Sequence, residues 1–166
     1  MKSPNAGLRF AAVAAAFLML AACSSNDENS GAPTTSSNAG QITPGSPEDL
    51  AQNVGDRVFF DTDKSSLSDE ARATLQRQAA WMGQYANLTF TIEGHADERG
   101  TREYNLALGG RRANAAKDYL VSLGVDASRL NTVSYGKERP VCLDSSENCW
   151  SQNRRAVTVI VSGAAS

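Results

Sequence analysis

The sequence predicts an α/β fold in which helices pack on one mixed sheet, in the chain order β-α-β-α-β. Short segments with strand-like alternation of apolar and polar residues recur along its second part, and two longer segments between them show helical periodicity. After the N-terminal region about 120 residues remain, enough for one compact domain with its own core. One such domain is therefore expected.

Residues 1–22 are predicted to be a secretory signal peptide. Lys2 and Arg9 give it a positive start, and the uncharged apolar stretch that follows is too short to span a bilayer of about 30 Å. Its end, Leu20-Ala21-Ala22-Cys23, resembles a bacterial lipobox, so Cys23 is the predicted lipidation position. The alternative is an ordinary cleavage position beside an incidental cysteine.

Residues 23–47 are predicted to be the lipidated cysteine and a disordered linker. Their composition is dominated by Ser, Thr, Asn, Gly and Pro, which cannot bury enough apolar surface to offset the entropy of ordering. The folded domain is therefore expected at residues 48–166. Ser24 stands where aspartate would be typical of inner-membrane retention, and this resemblance implies the periplasmic face of the outer membrane.

Each element of the domain has its own signal. The β-branched and aromatic run Arg57–Phe60 predicts the first strand. Ser66 with Asp69 three residues on forms a capping-box pattern that predicts the start of the first helix. The remaining elements are strands at Leu88–Ile92, Leu130–Tyr135 and Ala156–Val161, and a second helix at Arg102–Leu123 that Gly124 stops.

The second helix carries polar residues on its apolar side. At 100° per residue, Asn105 and Arg112 fall in the same arc as Leu106 and Leu108, whereas Arg111 points to solvent. A guanidinium on the packed side of a helix needs a partner, because burying an unpaired charge is costly. The nearest candidate is Asp97, in the loop that enters the helix.

Two motifs at this place resemble the signature of the OmpA-like peptidoglycan-binding domain family. They are Gly94-His95-Ala96-Asp97 and Asn105-x-x-Leu108-Gly109-x-x-Arg112-Ala113. Glycine stands at 109 where the family usually has serine. The resemblance covers roughly residues 54–161 and implies an OmpA-like sandwich that binds peptidoglycan without cleaving it.

The resemblance implies that Asp97 and Arg112 bind meso-diaminopimelate in the peptide stem. That residue ends in an ammonium and a carboxylate, which an anion and a planar guanidinium suit. Alanine at either position is expected to abolish binding to sacculi and to leave the fold intact, and lysine-type walls are expected to bind poorly. A structural ion pair between the two is the alternative. Further contacts are implied for Phe59, Asp61, Asn105 and Arg154.

The resemblance also implies partners and a cellular role. The partners are TolB and other Tol proteins, with no cofactor, and the role is in envelope integrity and constriction during cell division. A wall hydrolase or amidase is the alternative of a different class. It is disfavoured because His95 has no serine or cysteine nucleophile in a recognisable context. His95 is instead expected to hold its loop by hydrogen bonds.

Charge and cysteines narrow the possibilities further. Without Lys2 and Arg9, fourteen basic side chains face eighteen acidic ones, which argues against nucleic-acid binding. Cys142 and Cys149 bracket a polar loop in an oxidising compartment, so a disulfide is predicted. A zinc site is less favoured because the one histidine lies elsewhere. Arg155, at the start of the last strand, is expected to face solvent.

Overall fold

In the computed structural model, helices pack on one four-stranded mixed sheet, which confirms the predicted α/β architecture. The structure describes residues 42–164. The signal peptide, Cys23 and most of the linker therefore lie outside the described residues. Within residues 42–164, no helix has both the length and the apolarity needed to cross a membrane.

The elements follow one another in the predicted order, with short helical additions. The strands are β1 (Arg57–Phe59), β2 (Thr89–His95), β3 (Leu130–Gly136) and β4 (Arg155–Ser162). The helices are α1 (Pro47–Asp49), which runs into a π-helical turn at Leu50–Val54, α2 (Asp69–Gln84), α3 (Arg102–Ser122) and α4 (Glu147–Asn153), with a 3₁₀ turn at Ala127–Arg129.

The sheet order is β1-β4-β2-β3. The last strand, β4, lies inside the sheet and pairs antiparallel with both β1 and β2. β2 and β3 pair in parallel, and α3 forms the crossover between them. This topology places the loop from β2 into α3 beside the end of β1, because β1 and β2 flank the same strand.

The core lies between the sheet and the two long helices. In α2 the buried positions follow helical spacing, and the one polar side chain among them, Gln78, is satisfied. Its amide donates to the carbonyl of Gly55 and accepts from the Thr158 hydroxyl. The largest fully buried apolar side chains are Leu50, Leu75, Met82, Leu88, Phe90, Ile92, Leu120 and Leu130.

Glycines bring α3 into backbone contact with β2. A Cβ added to Gly94 would overlap the carbonyl oxygen of Gly109, and one added to Gly109 would lie 2.8 Å from the carbonyl oxygen of Gly94. Gly109, which stands where the family usually has serine, is thus one of the two residues that make this contact. The contact sets the depth at which Asn105 and Arg112 approach the strand.

The segment before β1 is locked to α2 through one carboxylate. Asp49 accepts hydrogen bonds from the Gly45 amide at 2.9 Å, the Asn53 side chain at 2.7 Å and the Trp81 indole at 2.9 Å. Ser46 caps α1 and is buried. Packed structure therefore already includes Gly45 and Ser46, just before the predicted start of the domain.

Three local predictions were wrong. Ser68, not Ser66, caps α2, since its hydroxyl accepts the amide of Ala71 at 3.1 Å. Leu106 is half exposed although it lies on the predicted apolar arc. The short α4 stands where a loop was expected, because seven mostly polar residues give no helical periodicity to detect.

Candidate binding pocket

A pocket of about 410 Å³ opens where the loop after β1 meets the loop from β2 into α3. The second of these loops, residues 97–101, is called the binding loop below. The two loops and the first turns of α3 contribute the walls of the pocket. Its lining residues are Thr62, Asp63, Asp97, Arg99, Gly100, Tyr104, Asn105, Leu108 and Arg112.

Arg112 lies at the base of the pocket and is fully buried. Its Nε donates to the carbonyl of Lys64 at 2.9 Å, Nη1 to that of His95 at 2.8 Å and Nη2 to that of Asp61 at 3.1 Å. A guanidinium has five N–H donors, so two remain beyond these three bonds. Burial lowers the pKa of Arg112 to about 10, and it stays charged at neutral pH.

Asp97 is not the direct partner of Arg112, which corrects the predicted pairing. Its carboxylate accepts from the Arg99 backbone amide and Nε, both at 3.1 Å, from Arg99 Nη2 at 2.6 Å, and from Arg154 at 3.3 Å. Burial alone would raise the pKa of Asp97, but these hydrogen bonds outweigh it and hold the pKa below its usual range. Asp97 is therefore ionised at neutral pH.

The side chain of Asn105 is hydrogen-bonded to the backbone of the binding loop. Its side-chain amide donates to the carbonyl of Arg99 at 2.7 Å and to that of Thr101 at 3.0 Å. Thr101 caps α3, and its hydroxyl accepts the amide of Tyr104. Asn105, a polar residue on the predicted apolar side of α3, thus fixes the loop that enters this helix.

Three predicted residues lie in an adjoining groove. Phe59, half exposed, Asp61 and Arg154 line a cavity of about 500 Å³ next to the pocket. Asp61 contributes its carbonyl oxygen to Arg112, while its carboxylate is exposed and pairs with Lys64 at 3.0 Å. Arg154 joins the two cavities, because it donates both to Asp97 and to the carbonyl of Phe60.

The pocket also includes three residues that the sequence analysis did not predict as site residues: Arg99, Asp63 and Tyr104. Arg99 lies two residues after Asp97, so the spacing of these residues in a turn could have predicted an ion pair between them. Asp63 has a positive φ of 61° and accepts a hydrogen bond from the Tyr104 hydroxyl, 41 residues away in sequence. No local pattern reports a contact at that separation.

His95 does not hold its loop through its ring, contrary to expectation. Both ring nitrogens are buried without a hydrogen-bond partner, and Nε2 lies 3.7 Å from the Glu93 carboxylate. The residue contributes its carbonyl oxygen, which accepts from Arg112. Burial, with smaller effects from Arg155 and Arg139, lowers the pKa of His95 to about 4.

We expect stability to fall between pH 6.5 and about pH 4 because of His95. The unfolded imidazole takes up a proton near pH 6.5 while the folded one stays neutral, so acid favours unfolding by up to ~3 kcal/mol. Because the chain has one histidine, its imidazole proton signal can be followed without assignment. A measured pKa near 6.5 in the folded protein would contradict this expectation.

Arg155 is buried, not solvated as expected. Its guanidinium donates to the carbonyls of Asn153 and Arg139 at 3.4 and 3.3 Å. Burial, the largest effect, lowers the pKa of Arg155. Arg154, Arg155 and Ala156 are all buried, so the side chains do not alternate between buried and exposed at the start of β4.

Residues 141–153, called the disulfide segment below, contact the binding loop and contain a disulfide. Cys142 and Cys149 are bonded, with their Cα atoms 5.2 Å apart. Asn153 fixes the entry to this segment, since its side chain accepts from the amide of Val141 and donates to the carbonyl of Cys142. The disulfide thus joins the start of the segment to α4.

The chain matches the OmpA family model over residues 59–155. It is 58% identical over 152 residues to a peptidoglycan-associated lipoprotein of Mesorhizobium japonicum, covering 91% of this chain and 90% of that protein. The chain belongs to the peptidoglycan-associated lipoproteins of the OmpA family. A member of that name from Rhizobium meliloti is 64% identical, over 74% of this chain and 69% of that protein.

Solved structures agree with this assignment. The crystal structure of the peptidoglycan-associated lipoprotein from Burkholderia pseudomallei matches with a TM-score of 0.65 and 41% identity, over 70% of this chain and all of that one. The C-terminal domain of Helicobacter pylori MotB matches with a TM-score of 0.61 and 19% identity, over 66% of this chain and 86% of that one. At that identity the likeness is one of fold. The lipoprotein relatives are named for an association with peptidoglycan, not for a reaction.

Proposed function

We propose that the pocket binds the meso-diaminopimelate residue of the peptidoglycan stem without cleaving it. The observation that supports this is a fully buried guanidinium, Arg112, at the base of a pocket that also holds an ionised carboxylate, Asp97. The two N–H donors left on Arg112 suit a ligand carboxylate. The name that the relatives share points to the same polymer.

The electrostatics of the walls favour a ligand with both signs of charge. Arg99 and Arg154 already engage Asp97, so that carboxylate also orients two cations. Asp63, in the loop after β1, adds a second carboxylate to the lining of the pocket. A ligand that ends in an ammonium and a carboxylate can match both kinds of group, whereas an ordinary lysine side chain supplies only the cation.

We further propose that the chain links the outer membrane to the cell wall. The predicted lipid on Cys23 would hold one end on the periplasmic face, and the pocket would hold the other. Because both attachments belong to one chain, each raises the effective concentration of the other, so a weak pocket suffices. This arrangement fits a role in envelope integrity and in constriction at division.

TolB and other Tol proteins are the proposed protein partners. The groove lined by Phe59, Asp61 and Arg154 adjoins the pocket, and Arg154 contacts Asp97 within it. A protein seated in that groove would crowd the ligand. We therefore expect TolB and the peptide stem to compete, and their simultaneous binding would contradict a shared face.

A sacculus pull-down with the purified mature protein tests the proposed function. We expect binding to diaminopimelate-type walls, little binding to lysine-type walls, and an approximately tenfold or larger loss in Asp97→Asn, which removes a charge from the pocket. Asp118→Asn, the same change on the exposed side of α3, is the control and should bind normally. Added TolB should displace the wild-type protein from the wall.

Either of two results would count against the proposal. Equal binding to both wall types would remove diaminopimelate as the recognised group. Normal binding by Asp97→Asn, with a wild-type unfolding transition, would place the ligand outside this pocket. Release of muropeptides during the incubation would instead favour a hydrolase.

A further inference from the structure

The helix α4 reaches the binding loop through one aromatic side chain. The indole of Trp150 donates to the carboxylate of Glu98 at 2.9 Å, and its ring lies under the Arg99 guanidinium at 4.2 Å. Ser145 donates to the same carboxylate at 2.6 Å. Two adjacent residues of the binding loop are therefore held by side chains of the disulfide segment rather than by the sheet.

Other residues hold the backbone of this loop. Lys137 donates to the carbonyls of Glu98 and Gly100 at 3.0 and 2.6 Å, and Asn105 donates to those of Arg99 and Thr101. The path of the loop is thus fixed without Trp150. What Trp150 adds is the direction of the side chains at positions 98 and 99.

The orientation of Arg99 matters because its guanidinium contacts both a carboxylate and an aromatic ring, with weaker contacts to Thr62 at 3.5 Å and Glu147 at 3.9 Å. One side meets the Asp97 carboxylate through Nε and Nη2, and the face meets the Trp150 ring. The Arg99 side chain is 39% exposed, so solvent competes for it. A cation against an aromatic face keeps a position that a partly exposed ion pair alone would not enforce.

We propose that Trp150 is a positioning residue for the pocket, which it serves by orienting Arg99 and thereby the charge pattern around Asp97. This inference rests on the proposed ligand-binding function and adds to it a determinant outside the pocket lining. Since Trp150 lies on α4 directly after Cys149, the disulfide segment becomes part of the recognition machinery, although it does not contact the ligand cavity.

The test is a double-mutant cycle read out as affinity for the stem tripeptide L-Ala-γ-D-Glu-meso-diaminopimelate. We expect Trp150→Leu to weaken binding about tenfold through loss of the aromatic face and the hydrogen bond to Glu98. Trp150→Phe, which keeps a ring face, should weaken it less. The exposed Asn148→Ala on the same helix should bind as the wild type. Thermal unfolding of each variant is measured alongside.

The energetic coupling between the substitutions at Trp150 and Arg99 distinguishes a positioning role of Trp150 from a merely structural one. In an Arg99→Gln background, Trp150→Leu should cause little further loss, because the group that it orients is gone. An equal loss in both backgrounds would overturn the proposal, and so would wild-type affinity in Trp150→Leu.

A ligand-free measurement keeps this inference distinct from the proposed function. In the unbound protein the Arg99 Nε–H signal should show a ring-current shift that disappears in Trp150→Leu. If the wild type fails to bind the tripeptide, the proposed function fails, and this signal still decides whether Trp150 orients Arg99. An unchanged signal would refute the positioning role.

Discussion

Arg112→Ala is expected to destabilise the fold by about 3–5 kcal/mol. The change removes a side-chain donor from three backbone carbonyls, those of Asp61, Lys64 and His95, and opens a cavity at a fully buried position. The Asp61 carbonyl keeps the hydrogen bond from the Lys64 amide. The guanidinium joins the loop after β1 to the end of β2, so its loss also frees both walls of the pocket. Urea denaturation followed by circular dichroism measures the change.

The neighbouring arginine is the matched control. Arg111 is exposed on the same helix, and Arg111→Ala is expected to change stability by no more than about 0.5 kcal/mol. Arg112→Lys should fall between the two, since one ammonium cannot replace a planar donor to three carbonyls. A wild-type midpoint for Arg112→Ala would show that water replaces the guanidinium, and would restore the expectation of an intact fold.

Gly94→Ala is expected to cost about 3 kcal/mol or more. The added methyl group would overlap the carbonyl oxygen of Gly109, which is backbone and cannot rotate away. Relief requires α3 to move off β2, and α3 carries both Asn105 and Arg112. We therefore expect a lower thermal midpoint together with weaker binding to sacculi.

Gly83→Ala serves as the control for this change. Gly83 lies in α2, where an added methyl group meets nothing within 4 Å, and the substitution should be neutral or stabilising by up to about 1 kcal/mol. If Gly94→Ala proved as stable as Gly83→Ala, the close approach of α3 to β2 would be adjustable.

Periodicity and local motifs were sufficient to predict the framework of this fold. The two long helices and the strands were anticipated because their apolar spacing is regular over many residues, as in the buried positions of α2. α4 was missed because Glu147–Asn153 is short and polar, and tertiary contacts hold it in place. A short polar helix of this kind has no recognisable pattern of apolar residues in the sequence.

The pocket was predicted in part for a similar reason. Helical spacing identified Arg112 as a buried cation, and the loop before α3 identified Asp97 as an anion nearby. Sequence spacing suggests Arg99 as one partner of Asp97, but it suggests neither Arg154 as the other nor the backbone carbonyls that accept from Arg112. Carbonyl oxygens occur at every residue, so no sequence pattern singles out the three that are used.

The lock at Asp49 has a mechanical consequence. The chain enters the domain at Gly45, so tension applied from its N-terminal side first meets the bonds that join Gly45 and Trp81 through the Asp49 carboxylate. Trp81 is buried against Tyr85 and Phe90, so the load passes into α2 and the centre of the sheet. The three-residue edge strand β1, which would otherwise peel away bond by bond, is shielded from that force.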